Sequence, residues 1–196
     1  MTRIGVYPGS FNPPTHAHLA IAQAACVQHG LDRVDLVHSH RVLGKDRADR
    51  PLFEHRVQVL SASVAPYSQL RAVVTDKQLI VDIAYGYDIV IMGADKWHQI
   101  QDPVWYNNDT SARDMLMARL PTVAVAPRPP LEVPDGLRLN VDAGLVLGFS
   151  STMARQGKIE LMAPPAAEFA LRTGAWIDPT RYELGLPHAT NPDQAI

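Results

Sequence analysis

The chain has 196 residues, 46% hydrophobic and 19% charged, with a formal net charge of −2 and a single cysteine. Such a chain can bury one substantial core without disulfides, and its charge argues against a surface built for nucleic acid or anionic membrane. Cys26 falls among apolar helix positions and reads as packing; no apolar span is long enough to cross a bilayer and no leader pattern precedes the first strand, so a cytoplasmic location is expected.

The first element is a short apolar run at residues 3–7, suited to a buried strand and cut off by Pro8-Gly9, a pair that forces a turn. Pro13-Pro14 then bars helix before Thr15, while Leu19, Ala22, Cys26 and Val27 keep an apolar stripe at helical spacing, so a helix is expected over 16–29. Thr15 and His18 fall near its N-terminus, where unpaired amides attract phosphate. Gly9 permits close approach of the backbone to a ligand, and His18 could place a donor or a positive charge on a phosphoryl group. For Thr-x-x-His alone, a capped helix with surface histidines is the plainer reading. The glycine-serine turn directly after a first strand shifts the balance toward function.

Further strands are expected at 33–38, 70–75, 87–92, 121–126 and 143–147, and helices at 52–64, 77–85, 110–119, 151–156 and 161–173. After the second strand, Arg41, Lys45, Arg47 and Arg50 form the densest basic stretch, able to fold over polyphosphate or simply be solvated. His38 and His40 alternate on an extended chain, but no ligand cluster accompanies them and no metal role is assigned. Arg56 reads as a surface ion pair. The fourth strand ends in Gly93-Ala94-Asp95, where Asp95 could accept hydrogen bonds from a sugar or amide, with Trp97 or Trp105 stacking on a flat ring or packing. Residues 127–136, with four prolines and Arg128, read as a stiff surface loop that names no substrate. Gly148-Phe149-Ser150-Ser151-Thr152-Met153-Ala154-Arg155 repeats the strand, cap, helix logic: its hydroxyls and amides suit phosphate oxygens, and Arg155 lies one turn on. The tail from Leu184 onward is expected to fray.

Alternating strands and helices predict an α/β fold, a Rossmann-like doubly wound parallel sheet with helices on both faces in one domain. Both phosphate motifs and Gly93-Ala94-Asp95 would then meet in one crevice beyond the strand ends.

These residues resemble the nucleotidylyltransferase superfamily, whose (His or Thr)-x-Gly-His signature follows a Gly-Ser-Phe-(Asp or Asn)-Pro turn and is joined later by Ile-Ser-Ser-Thr-x-x-Arg. Thr15 and His18 match, and Ala17 stands in place of the usual glycine. The resemblance implies a nucleotidylyltransferase domain over 1–183, with 184–196 a flexible tail. It implies an ATP site at Gly9, Ser10, Phe11, His18, Gly93, Asp95, Ser150, Ser151, Thr152 and Arg155. In that site His18 would lie on the reacting phosphates, assisted by Thr15, and Lys45 would bridge them. Magnesium would come with ATP, held mainly by ATP oxygens and water, and a homo-oligomer is possible.

Gly-Ala-Asp followed by tryptophan resembles the nicotinate and nicotinamide mononucleotide adenylyltransferases, which implies Asp95, Trp97 and Trp105 on the acceptor side. That reading is adenylyl transfer from ATP to the phosphate of a pyridine mononucleotide. Tyr7-Pro8-Gly9-Ser10-Phe11 and Arg50-Pro51-Leu52-Phe53 look instead like phosphopantetheine adenylyltransferase, and a fold that binds nucleotide without turnover is a third reading.

Overall fold

The structure is a computed structural model that describes residues 2–40, 51–142, 144 and 150–186. Its strands are the apolar, β-branched runs of the sequence: β1 (Ile4–Pro8), β2 (Arg33–Ser39), β3 (Leu70–Thr75), β4 (Ile89–Gly93) and β5 (Thr122–Ala126). They form a parallel sheet in the order β3-β2-β1-β4-β5. The chain therefore works outward from β1 to β3, then returns to lay β4 on the other side of β1, which makes the β1/β4 seam the switch point where such sheets open a crevice. The helices are α1 (His16–His29), α2 (Phe53–Val64), α3 (Ile80–Ile83), α4 (Ala94–Gln101), α5 (Thr110–Met117), α6 (Ser151–Arg155), α7 (Pro164–Thr173) and α8 (Pro179–Leu184).

Side-chain alternation along the strands divides the core between two faces. Tyr7, Leu36, Ile89, Ile91 and Ala124 point to one face, where Leu19, Ala22 and Ala25 of α1 and Leu60 of α2 cover them. Val6, Val37, Val90, Met92 and Val125 point to the other, covered by Ile83 of α3 and Ala94, Trp97 and Ile100 of α4. Both faces are thus sealed by helices, as the continuous apolar runs require. A third cluster joins Val59 of α2 to Met162, Phe169, Trp176 and Tyr182, fastening the C-terminal helices to the flank of the sheet.

Two elements were not expected, and one is shorter than expected. Helix α4 starts directly from the end of β4 without a side-chain cap, so no capping residue marks it; packing of Trp97 and Ile100 against the sheet secures it, and Pro103 follows its end. Helix α8 had a visible signal, Asp178 capping Arg181 N–H at 3.0 Å with Pro179 in the first turn. The helix expected over 77–85 is a single turn, because Ser39 donates to the Lys77 carbonyl at 2.6 Å and the Lys77 N–H is taken by Thr75 Oγ1 at 3.2 Å, which holds 75–77 in a turn. The strand expected at 143–147 and the Lys45 loop lie outside the described residues, Gly144 apart.

Candidate active site

At the C-terminal ends of the strands lies a crevice of about 430 Å³, bordered by Gly9 and Ser10 after β1, Gly93 and Asp95 after β4, Ser39 at the end of β2 and Arg128 after β5. That volume lies within the usual range for small-molecule sites. The crevice also takes in Ala17 and His18 at the start of α1 and Ser150, Ser151, Thr152 and Arg155 of the second motif. Residues more than a hundred positions apart in sequence thus share one wall.

His18 is held by a reciprocal cap. Thr15 N–H donates to His18 Nδ1 at 3.0 Å, His18 N–H is 3.4 Å from Thr15 Oγ1, and that hydroxyl lies 2.9 Å from Nδ1. Because Nδ1 accepts from an amide, the ring is the neutral Nε2–H tautomer, with Nε2–H the donor left for a ligand. Electrostatics agree: burial first, and then the Arg128 cation, push the His18 pKa down to about 4, with Asp95 opposing. At neutral pH His18 is a hydrogen-bond donor and not a standing positive charge. Its ring is backed by Phe11 (edge-on, centroids 5.1 Å) and Tyr7 (6.2 Å).

Phe11, expected in the ATP site, lies outside the crevice lining. It is 1% exposed; its ring meets those of His18 and Tyr7 edge-on, with centroids 5.1 and 5.5 Å away. A Cβ at Gly9, which borders the crevice, would lie 2.8 Å from the Phe11 ring, so glycine also admits Phe11 as a close neighbour there. Trp97, expected on the acceptor side, is partly buried against the core beneath α4 and does not border the crevice, whereas Trp105 does, 46% exposed.

The second motif is tied directly to the first. Ser150 caps α6 by accepting from Met153 N–H at 3.1 Å, Ser151 Oγ donates to the Pro13 carbonyl at 2.9 Å, and Arg155 donates to the Asn12 carbonyl and, at 3.2 Å, to Thr152 Oγ1. Ala163 N–H donates to the Pro14 carbonyl at 3.0 Å, and Trp176 Nε1 donates to the Asn12 side chain. The turn at 12–14 is therefore clamped by the C-terminal segment, a relation no local sequence signal announces.

Arg128, left without a role by the sequence, pairs with Asp95 (Nη1 to Oδ2, 3.2 Å) inside the crevice. Its position two residues past the end of β5 was the available signal. Asp95 is the only carboxylate among the described residues bordering the crevice, and no group of three or more His, Cys, Asp or Glu among the described residues could hold a metal. No helix of the described residues is long and apolar enough to cross a membrane.

A relative from Bacillus pumilus (strain SAFR-032), named a probable nicotinate-nucleotide adenylyltransferase, is 27% identical over 124 residues, covering 52% of this chain and 64% of its own length. The chain thus spans just under two thirds of that relative. A protein of the same name from Synechococcus sp. (strain JA-3-3Ab) is 28% identical over 200 residues, covering 87% and 92%. Among solved structures, Plasmodium falciparum nicotinic acid mononucleotide adenylyltransferase complexed with NaAD superposes with a TM-score of 0.65 at 12% identity, covering 90% of this chain and 98% of that one, which supports the fold. The Cytidylyltransferase-like family model matches residues 6–157, a span holding both motifs and the end of β4, and the chain belongs to that family.

Proposed function

We propose that the protein transfers the adenylyl group of ATP to the phosphate of nicotinate or nicotinamide mononucleotide. An acceptor phosphate oxygen attacks the α-phosphorus, the bond from that phosphorus to the bridging oxygen of the β-phosphate breaks, and pyrophosphate leaves. The observation that supports this best is the joining of a neutral His18 donor and the Ser151, Thr152 and Arg155 cluster across one crevice. His18 Nε2–H would stabilise charge building on the α-phosphate, and the hydroxyls and guanidinium of α6 would hold the departing pyrophosphate. Gly9, Ser10 and Gly93 shape the strand ends along which the nucleotide lies. Lys45, expected to bridge the phosphates, retains that role in this reading. The names of the two bacterial relatives favour nicotinate mononucleotide as acceptor. An apolar wall of Ile80, Ile83, Ile100 and Leu116 beside Trp105 suits a flat ring.

Magnesium supplies charge neutralisation of the triphosphate when bound. With Asp95 the only carboxylate among the described residues at the crevice, and engaged by Arg128, ATP oxygens and water would hold the ion. ATP as donor fits a cytoplasmic enzyme, and a homo-oligomer is part of the reading, checked by its mass in solution.

The test is magnesium-dependent pyrophosphate release from ATP with nicotinate mononucleotide, nicotinamide mononucleotide and 4'-phosphopantetheine supplied separately. Release with a pyridine mononucleotide, abolished by His18→Ala, is expected. Release with 4'-phosphopantetheine alone would move the protein to coenzyme A synthesis, and ATP binding without release from any acceptor would make it a binding protein.

A further inference from the structure

The ion pair between Arg128 and Asp95 stands in the crevice with the two side chains 41% and 57% exposed. A pair so exposed adds little stability and exchanges partners readily. The Asp95 carboxylate folds back over the end of β4: a Cβ on Gly93 would lie 2.6 Å from its Oδ1. His18 from α1 and Tyr7 from β1 both sense the two charges, Arg128 lowering their pKa values and Asp95 raising them, after the larger effect of burial. Guanidinium, carboxylate and imidazole thus converge where α1, α4 and β5 meet.

A phosphate beside His18 brings an anion whose oxygens match the guanidinium fork as well as a carboxylate does, in competition with Asp95. We propose that Arg128 exchanges partners during turnover, leaving Asp95 for the nucleotide phosphate beside His18, and so frees the Asp95 carboxylate to accept hydrogen bonds from a substrate hydroxyl. The exchange orders binding: Asp95 becomes available once phosphate has arrived, and the guanidinium is compensated at every stage. The inference rests on the proposed adenylyl transfer only in requiring a phosphate in the crevice.

Tripolyphosphate, which has no sugar and no acceptor group, separates the two ideas when its binding to the full chain is measured by calorimetry. Arg128→Gln is expected to weaken it about tenfold, the scale of one charge-assisted contact, and Arg128→Lys less. Asp95→Asn is expected to tighten tripolyphosphate severalfold by removing the competitor, to weaken ATP relative to tripolyphosphate, and to tighten tripolyphosphate markedly less in an Arg128→Gln background, where only relief of charge repulsion is left. In an NMR titration without nucleotide, the His18 pKa should rise from about 4 in Arg128→Gln and fall further in Asp95→Asn. Unchanged tripolyphosphate affinity in Arg128→Gln, or a loss in Asp95→Asn equal to that in Arg128→Gln, overturns the exchange. Expected binding results beside silence with every acceptor would overturn adenylyl transfer and leave the exchange standing.

Discussion

In the proposed reaction His18 carries the central donor, on a ring whose orientation its own neighbours set. Deleting a donor that meets developing charge removes roughly 3 kcal/mol of transition-state stabilisation, so His18→Ala should lower kcat about a hundredfold or more while the fold persists. Thr15→Val keeps the shape but loses the hydroxyl at 2.9 Å from Nδ1, and it should cost about 1 kcal/mol of stability by urea unfolding together with a fall in kcat. Two histidines also set a pH dependence. Burial pushes both His18 and His38 from 6.5 down to about 4, aided for His38 by Arg56 and His40, and neither His38 nitrogen has a hydrogen-bond partner among the described residues. Between those pH values the unfolded chain takes up protons that the folded protein refuses, so stability falls as pH drops from 6.5 toward 4 and is unaffected above that window. Melting temperatures at pH 7 and pH 5 should show the loss, and His38→Leu should reduce it.

At the scale of elements, the two strand-end glycines look alike in sequence and differ in what crowds them. At Gly9 the obstacle is the ring of a fully buried Phe11, which cannot move without disturbing His18. At Gly93 it is the carboxylate of an exposed Asp95, which can swing away. Gly9→Ala should therefore lower both melting temperature and kcat, whereas Gly93→Ala should leave the melting temperature nearly unchanged and alter nucleotide binding. The strap from α6 offers a similar contrast. Ser151→Ala removes the hydrogen bond to the Pro13 carbonyl, and urea unfolding should show a loss of about 1 kcal/mol.

On the scale of the molecule, the strand order β3-β2-β1-β4-β5 turns scattered motifs into a site, because the chain reverses direction across β1 and both halves deliver their strand ends to the same edge. A ligand spanning that edge binds the folded state alone. ATP at a hundred times its dissociation constant should add about 2.7 kcal/mol, roughly 5–10 °C in melting temperature for a domain of this size, and Arg155→Ala should shrink the shift. The strands β1 to β5 and the cap at Thr15 were legible in the sequence because they rest on local physics: β-branched apolar runs, a turn forced by Pro8-Gly9, and a hydroxyl ahead of a helix. So was the shared crevice of His18, Ser151, Thr152 and Arg155, because both motifs follow expected strand ends of a parallel sheet. Helix α4 was not legible, since contacts of Trp97 and Ile100 with the sheet stabilise it in the absence of a side-chain cap. Nor was the division among aromatic residues, in which Phe11 is buried and Trp97 half-buried against the core while Trp105 borders the crevice. Sequence by itself determined which segments form strands and where phosphate chemistry could be placed, because these follow from neighbours along the chain. Only the tertiary structure decided that Arg128 meets Asp95, that the 12–14 turn is clamped by residues 151–176, and that His18 is neutral, because each depends on groups that folding brings together from afar.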